Sequence, residues 1–302
     1  MREIKKEVAI IGGGPDGCAA AIQLKRSTIE PVIFEGGEIG GLVRNANFIE
    51  NYLGFPEGIT GIDFAALLEI HLKQLKVEVI HSDISTIRWL EEYNKFELIS
   101  ADVKCVCNYL IIATGTLPKK LNVSNEKTLE NLSLLFYEPI DLKEKNISKL
   151  KIAIIGAGDA AFDYALNLFQ KTNQQITIFS KGDTFHCLPL LYERVIHSKK
   201  ISIQKNKEVK EFILIDKDKL KKSAQINFSD GSSAIVDLVF VAIGREPNDF
   251  LLKTLPKNAK GFFVIGDINN QSFRQVSIAA GEGIRCAMEI IKMIKESHKF
   301  LK

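Results

Sequence analysis

The chain has no two cysteines at the C-x-x-C spacing, no apolar run of membrane-span length and no large surplus of charge of either sign. Its five cysteines, Cys18, Cys105, Cys107, Cys187 and Cys286, match no zinc-ligand spacing. An odd count does not read as a disulfide framework, so free thiols in a reducing compartment are the expectation, and no metal site is expected. Cys105 and Cys107 fall on one face of a strand, as residues two apart do, and read as small core residues. No stretch approaches the ~18 apolar residues of a membrane helix. The opening MREIKKEVAIIGGG runs from a charged lead straight into a strand, which leaves no room for a signal peptide and points to the cytoplasm. A formal net charge of +3 over 302 residues, with scattered lysines, does not suit a nucleic-acid partner.

What is present is a globular composition, 46% hydrophobic and 25% charged, in a chain long enough for two domains of ordinary size. Two glycine turns stand out. VAIIGGGPDG, from Val8 to Gly17, and IAIIGAGDAA, from Ile152 to Ala161, each read as a buried strand, a tight turn and the start of an amphipathic helix. Gly12, Gly14 and Gly17 fill the three glycine positions of the first, and Gly156, Gly158 and Ala161 those of the second. The first glycine permits the turn, the second lets a pyrophosphate approach the backbone, and the third lets helix and strand pack closely. The phosphate then lies on the open N–H groups of the helix start.

The residue ending the next strand separates the two sites. In the first unit PVIFE ends in Glu35, whose carboxylate can take both ribose hydroxyls of FAD or NAD. In the second, ITIFSK puts Ser180 and Lys181 there, a hydroxyl and a cation that suit a 2′-phosphate. Different dinucleotides are expected, FAD first and NADPH a candidate for the second, with an ordinary polar turn the other reading of Ser180 and Lys181.

The order of elements is α/β with a β-rich insertion. It runs strand (Val8 to Ile11), helix (Pro15 to Arg26), strand (Pro31 to Glu35), a loop rich in Gly and Asn through Pro56, the helix GIDFAALLEIHLKQL, and the strands of KFELIS and YLIIATG. Between Thr116 and Asn146 the periodicity weakens, as expected of a linker plus a loop or short helix. Strands QINFSDG, VDLVFVAIG and GFFVIGD follow, and a helix from about Gln275 ends the chain, with an apolar face predicted from Ile278, Met288 and Ile291.

The ordered set GGGPDG, ENYLGFPEGITG, LIIATGT, GAGDAA, VFVAIGREPN, FFVIGD and RQVSIAAGEG resembles the small flavoprotein disulfide reductases of the thioredoxin reductase type over nearly the whole chain. The resemblance implies two Rossmann-like three-layer dinucleotide-binding domains. The FAD-binding domain is discontinuous, residues 1–117 and 247–302, with a nicotinamide domain, 118–246, inserted in it. It also implies a homodimer and a rotation between domains during turnover. Carried over by position, Gly12, Gly14, Pro15, Asp16, Glu35, Gly41, Leu42, Asn51, Ala113, Gly115, Gly266, Asp267, Arg274, Gln275 and Val276 line the flavin site. Asp267 serves the ribityl or pyrophosphate region. Gly156, Gly158, Asp159, Ala160, Ser180, Lys181 and His186 form the NADPH or NADH site.

Four departures qualify the resemblance. The family's redox-active CxxC precedes the second glycine turn by a short loop, and here that segment is FYEPIDLKE, with Glu138 and Asp141 near the two cysteine places. Disulfide exchange needs a thiolate attacking sulfur, which a carboxylate cannot replace. Glu138, Asp141 and Asp16 are candidate proton carriers, with solvated loop residues the plainer reading of Glu138 and Asp141; Tyr137 or Phe136 is a candidate stacking partner, with packing the plainer reading. In SKGDTFH only Lys181 and His186 remain of the family's basic cluster. Asp16 stands where a small residue is usual, turned away from the pyrophosphate or meeting the flavin edge as a proton acceptor. GGLVRNAN brings Leu42 and Arg44 to a loop that in other relatives accompanies reduced ferredoxin as donor.

The sequence thus predicts an FAD oxidoreductase fed by NAD(P)H or a reduced ferredoxin-like protein, passing electrons to an acceptor without a dithiol relay. Such an acceptor is a ferredoxin or flavodoxin, a quinone or other small molecule, or oxygen. The alternatives are a flavin-binding sensor or scaffold with little turnover, and a disulfide reductase using Cys105, Cys107 or Cys187.

Overall fold

A computed structural model of the protein describes residues 1–218, 221–256, 258–270 and 272–299. The chain forms two compact units, one of Met1–Arg44, Ile49–Leu117 and the chain from Glu246 onward, the other of Asn45–Phe48 and Pro118–Arg245. Glu246, which the sequence grouped with the inserted segment, packs with the first unit, and Asn45–Phe48 pack with the second.

The first unit starts with β1 (Arg2–Ile11), α1 (Pro15–Arg26), β2 (Val32–Glu35), α2 (Gly61–Gln74), β3 (Glu78–His81), β4 (Thr86–Leu90), β5 (Lys95–Ile99) and β6 (Val103–Ile112). The strand β7 (Thr116–Pro118) leads out. The second unit then holds α3 (Glu126–Asn131), β8 (Leu135–Phe136), β9 (Ile152–Ile155), α4 (Asp159–Phe169), β10 (Ile176–Phe179), α5 (Pro189–Ile196), β11 (Ile201–Gln204), β12 (Val209–Asp218), β13 (Lys221–Phe228), β14 (Ser233–Val236) and β15 (Leu238–Val241). The chain returns through β16 (Arg245–Pro247), paired with β7, and closes with β17 (Phe262–Val264) and α6 (Val276–Lys299).

The first unit is organised by a sheet in the order β3-β2-β1-β6-β5-β4, with β17 also on β6. Strands β1, β2, β3, β6 and β17 run parallel, and β4 and β5 add an antiparallel edge. β1 is longer than its apolar core suggests, because the charged residues before Val8 pair along β6 from Arg2↔Val103 to Ile11↔Ile112. Alternation sorts VAII between two cores: Val8 and Ile10 face α1 and α6, while Ala9 and Ile11 face the side of Phe96, Leu98 and Leu110. Cys105 and Cys107 share that second core, as two-residue spacing predicts. Parallel strands covered on both faces carry such unbroken apolar runs.

α6 departs from the expected face. Ala279, Cys286, Ala287, Ile290, Ile291 and Ile294 are buried, whereas Ile278 and Met288 are exposed. The buried stripe keeps a helical period, and Ile278 and Met288 lie off its phase. Small residues decide it: a Cβ on Gly283 would overlap the carbonyl oxygen of Asp16, so α6 and α1 approach backbone to backbone.

The second unit repeats the plan with a parallel sheet, β11-β10-β9-β15-β8, and adds a three-stranded antiparallel sheet, β12-β13-β14. In β9, Ile152 and Ile154 face α4 and α5, and Ala153 and Ile155 face the layer formed by Phe212, Ile226 and Phe228. No helix among the described residues is long and apolar enough to cross a membrane.

Candidate functional site

In the first unit β1 delivers the chain to Gly12, which takes φ +110° because a Cβ there would overlap the carbonyl oxygen of Ala113 on the strand beside it. A Cβ on Gly17 would overlap the Gly12 carbonyl oxygen, so the third glycine is needed for helix and turn to touch. Pro15 is at the first position of α1, where its missing N–H costs nothing. The N-cap is Gly14, which offers no side chain to the helix amides. Gly41 packs against Gly14, opening the short turn that also carries Leu42 and Arg44. Arg44 pairs with Glu38 and donates to the Ile39 carbonyl at 3.3 Å.

Glu35 ends β2 beside this turn. Its carboxylate accepts from the N–H of Gly13 at 2.6 Å and of Gly37 at 2.8 Å. Ala113 donates its N–H to the Ile11 carbonyl, and Gly115, at φ +63°, accepts from the N–H of Asn248. Asn51 donates to the Gln275 side chain at 2.8 Å, just before α6 starts at Val276. Gly266 donates its N–H to Glu282 at 2.7 Å, with Asp267 next in the chain. Arg274 has its Nε buried without a hydrogen-bond partner among the described residues.

Asp16 is 4% exposed. Burial pushes its carboxyl up to about 7, against donation from the N–H groups of Gly17 and of Asp16 itself, with Asp267 and Glu282 adding to the rise. A small residue is what a bare glycine turn calls for here, and a buried acid is what the chain has.

The second turn has the same construction. Gly156 cannot carry a Cβ, which would overlap the Ala242 carbonyl oxygen, and Gly158 caps α4 without a side chain. Ala161 takes the third position, fully buried. Asp159 accepts from the N–H of Leu188 at 2.7 Å, Ala160 follows it in the first turn of α4, and His186 donates its N–H to the Ala157 carbonyl at 2.8 Å. The segment after β10 is thereby laced to the glycine turn. Ser180 is fully buried, and its hydroxyl donates to the Gly182 carbonyl at 2.9 Å, so it holds its own turn. Lys181 pairs with Glu208 at 2.6 Å, both side chains well exposed. An exposed pair of this kind is weak and yields to a ligand.

The segment in place of the paired cysteines is a short helical turn, Pro139–Leu142. Glu138 accepts from Arg245 at 2.7 Å and from Asn45 at 2.9 Å, and the Asn45 side chain accepts from the N–H of Ile140 at 3.0 Å. Glu138 is thus held as an anchor, and Asp141 is exposed. Tyr137 donates its hydroxyl to Glu126, and Phe136 stacks on Phe240, so both aromatics are packing residues. All cysteines are free thiols, and four of them are buried. Burial pushes Cys105 and Cys286 up to about 12 and raises Cys18, Cys107 and Cys187. Among the described residues no cluster of His, Cys, Asp or Glu is arranged for a metal.

A family model for the pyridine nucleotide-disulphide oxidoreductases matches residues 6–283. The chain belongs to that family. This oxidoreductase is 27% identical to a thioredoxin reductase of Rickettsia felis, over 97% of its own length and 100% of the relative's. It is 26% identical to the NADPH-dependent thioredoxin reductase 3 of Arabidopsis thaliana over 95% of its length, which spans 58% of the plant protein. Among solved structures it is similar to a Lactococcus lactis thioredoxin reductase in its FR conformation, with a TM-score of 0.84, 26% identity and 96% and 99% of the two chains covered. The oxidoreductase is therefore an FAD-dependent enzyme of thioredoxin reductase-like fold, two Rossmann-like domains that use FAD and a nicotinamide dinucleotide. The residues suit FAD: the first cradle admits no side chain at Gly12 or Gly17, its helix amides lack an N-cap side chain, and a carboxylate stands at the end of β2.

Proposed function

We propose that the oxidoreductase carries electrons from NADPH or NADH, through FAD, to an acceptor other than a protein disulfide relayed by paired cysteines. The single observation that carries this reading is the site of the missing pair. Where the dithiol would stand, Glu138 is tied to Arg245 and Asn45, and the five thiols lie elsewhere, four of them in the cores. Thiolate is the reactive form, and burial keeps these groups protonated.

In this reading the first unit is the FAD domain and the second the nicotinamide domain. Gly12, Gly14 and the amides opening α1 hold the pyrophosphate, and Glu35 takes the ribose hydroxyls with the oxygen lone pairs that Gly13 and Gly37 leave open. Asp267, Gln275 and the start of α6 support the ribityl chain and ring. FAD supplies the two-electron chemistry when bound, and the chain supplies position and electrostatics. In the second unit Gly156, Gly158 and the start of α4 receive the nicotinamide dinucleotide's pyrophosphate, with Lys181 and His186 near its adenosine end. The active form is a homodimer, which sedimentation equilibrium checks directly as twice the chain mass.

The test is an anaerobic titration of the yellow protein. Rapid bleaching by NADPH or NADH is expected, and it should persist in a variant with all five cysteines replaced by Ser or Ala, with turnover of quinone or ferricyanide unchanged. Loss of turnover in that variant with bleaching intact would restore a cysteine relay. A second reading, a flavin-binding sensor with little turnover, is favoured by the engaged Ser180. Bleaching by neither nucleotide nor reduced ferredoxin would select it.

A further inference from the structure

Asp16 has surroundings that the glycine turn alone does not require. Its carboxyl lies between the two stretches assigned above to the phosphate and ribityl parts of FAD. A Cβ on Gly14 would come to 2.8 Å from Oδ1, and one on Gly266 would overlap Oδ2. Gly283 of α6 is also kept bare by Asp16, through its carbonyl oxygen. Two glycines, Gly14 and Gly266, therefore make room for one side chain, and Gly283 makes room for its backbone.

The carboxyl lies close enough to the N–H groups of Asp16 and Gly17 for them to favour its charged form, in the first turn of a helix whose N-cap has no acceptor. Those are amides on which an anion at a helix start rests. The charged groups facing Asp16 from the packed elements are acids. Asp267 approaches from the turn after β17 and Glu282 from α6, and across the glycine turn Glu35 of β2 holds the Gly13 amide. On α1 itself the neighbour is Cys18, a protonated thiol donating to the Gly13 carbonyl at 3.2 Å. A buried carboxylate there and a dianionic pyrophosphate on the same amides repel each other, so the pair is accommodated only when one is neutral. The pyrophosphate diester of FAD does not titrate near neutrality, which leaves Asp16 to take the proton.

We propose that Asp16 is a proton-linked gate on the FAD phosphate site: as the neutral acid it leaves the α1 amides to the pyrophosphate, and as the carboxylate it occupies them as an internal anion. The inference rests on the reading of the first unit as the FAD domain. Its consequence is that FAD binding above neutral pH takes up one proton. The carboxyl, pushed up to about 7, sets the range, with affinity constant at lower pH and falling about tenfold per pH unit above it.

The experiment uses the full chain stripped of flavin, titrated with FAD by fluorescence quenching at pH 6, 7, 8 and 9, with proton uptake on mixing measured in weak buffer at pH 8. The expected results are a Kd that climbs about tenfold per unit between pH 8 and 9 and uptake of about one proton per FAD. In Asp16→Asn and Asp16→Ala the Kd should be flat over this range and about tenfold or more below wild type at pH 8. The wild-type slope and proton count need no variant, so a misfolded substitution does not protect the proposal. Tight FAD binding with a pH-independent Kd, or a slope unchanged in both variants, overturns the gate and leaves the FAD reading standing. No FAD binding at any pH removes both.

Discussion

Asp16 makes a prediction for the protein without ligand as well. Its pKa is raised from 3.8 in the unfolded chain to about 7 in the folded one, so the folded state binds the proton more tightly. Its contribution to stability is whole below about pH 4 and is lost as pH rises through 7, by up to about 4 kcal/mol for a shift of this size. Urea unfolding of the flavin-free protein should show this decline between pH 4 and 8, and Asp16→Asn should flatten it. An equal decline in the variant would place the pH dependence elsewhere. At the same scale, Glu138 shows how a residue type misleads when its partner is unseen. In the sequence it stands as a solvated loop residue or a candidate proton carrier, but Arg245, distant in sequence, and Asn45 engage it.

Among the elements, the contact of α1 and α6 is the most exacting. Ala20 and Ala21 on one helix share a core with Ala287 on the other, and a Cβ on Gly283 would meet only backbone, of Asp16 and Ala20. Gly283→Val should cost about 3 kcal/mol of stability by overpacking, read as a fall in the urea midpoint at unchanged slope. Met288→Ser, on the exposed side of the same helix, should change it by less than about 0.5 kcal/mol. The reverse order of effects would mean that α6 buries the face the largest side chains suggest. Apolar size is a poor guide to this face, because the neighbouring helix selects small residues wherever two backbones must meet.

Across the molecule, two units each carry a strand, glycine turn and helix of one construction, and substitutions in the two turns should separate their functions. Gly12→Ala forces a Cβ into the Ala113 carbonyl at positive φ, and Gly156→Ala does the same against Ala242. Purified Gly12→Ala should be colourless or lose FAD on gel filtration. Gly156→Ala should stay yellow, with bleaching by NAD(P)H slowed at least about tenfold, while photoreduction of its flavin remains normal. Loss of flavin from both variants to the same extent would defeat the assignment of separate sites.

The sequence by itself determined the strand–turn–helix units, the bounds of α1 from Pro15 to Arg26, the two-faced burial of VAII and IAII, and the absence of a paired-cysteine motif. These follow from local rules, in which glycine placement and the two-residue period of a strand act within a few positions. Tertiary structure decided what each polar side chain is engaged with: Ser180 with Gly182, Lys181 with Glu208, Glu138 with Arg245 and Asn45, and Asp16 among Gly266, Asp267 and Glu282. Most of these partners lie far apart along the chain, and packing alone brings them together. The charge state of Asp16 is the plainest case, because it is set by burial, and burial is a property of the folded whole.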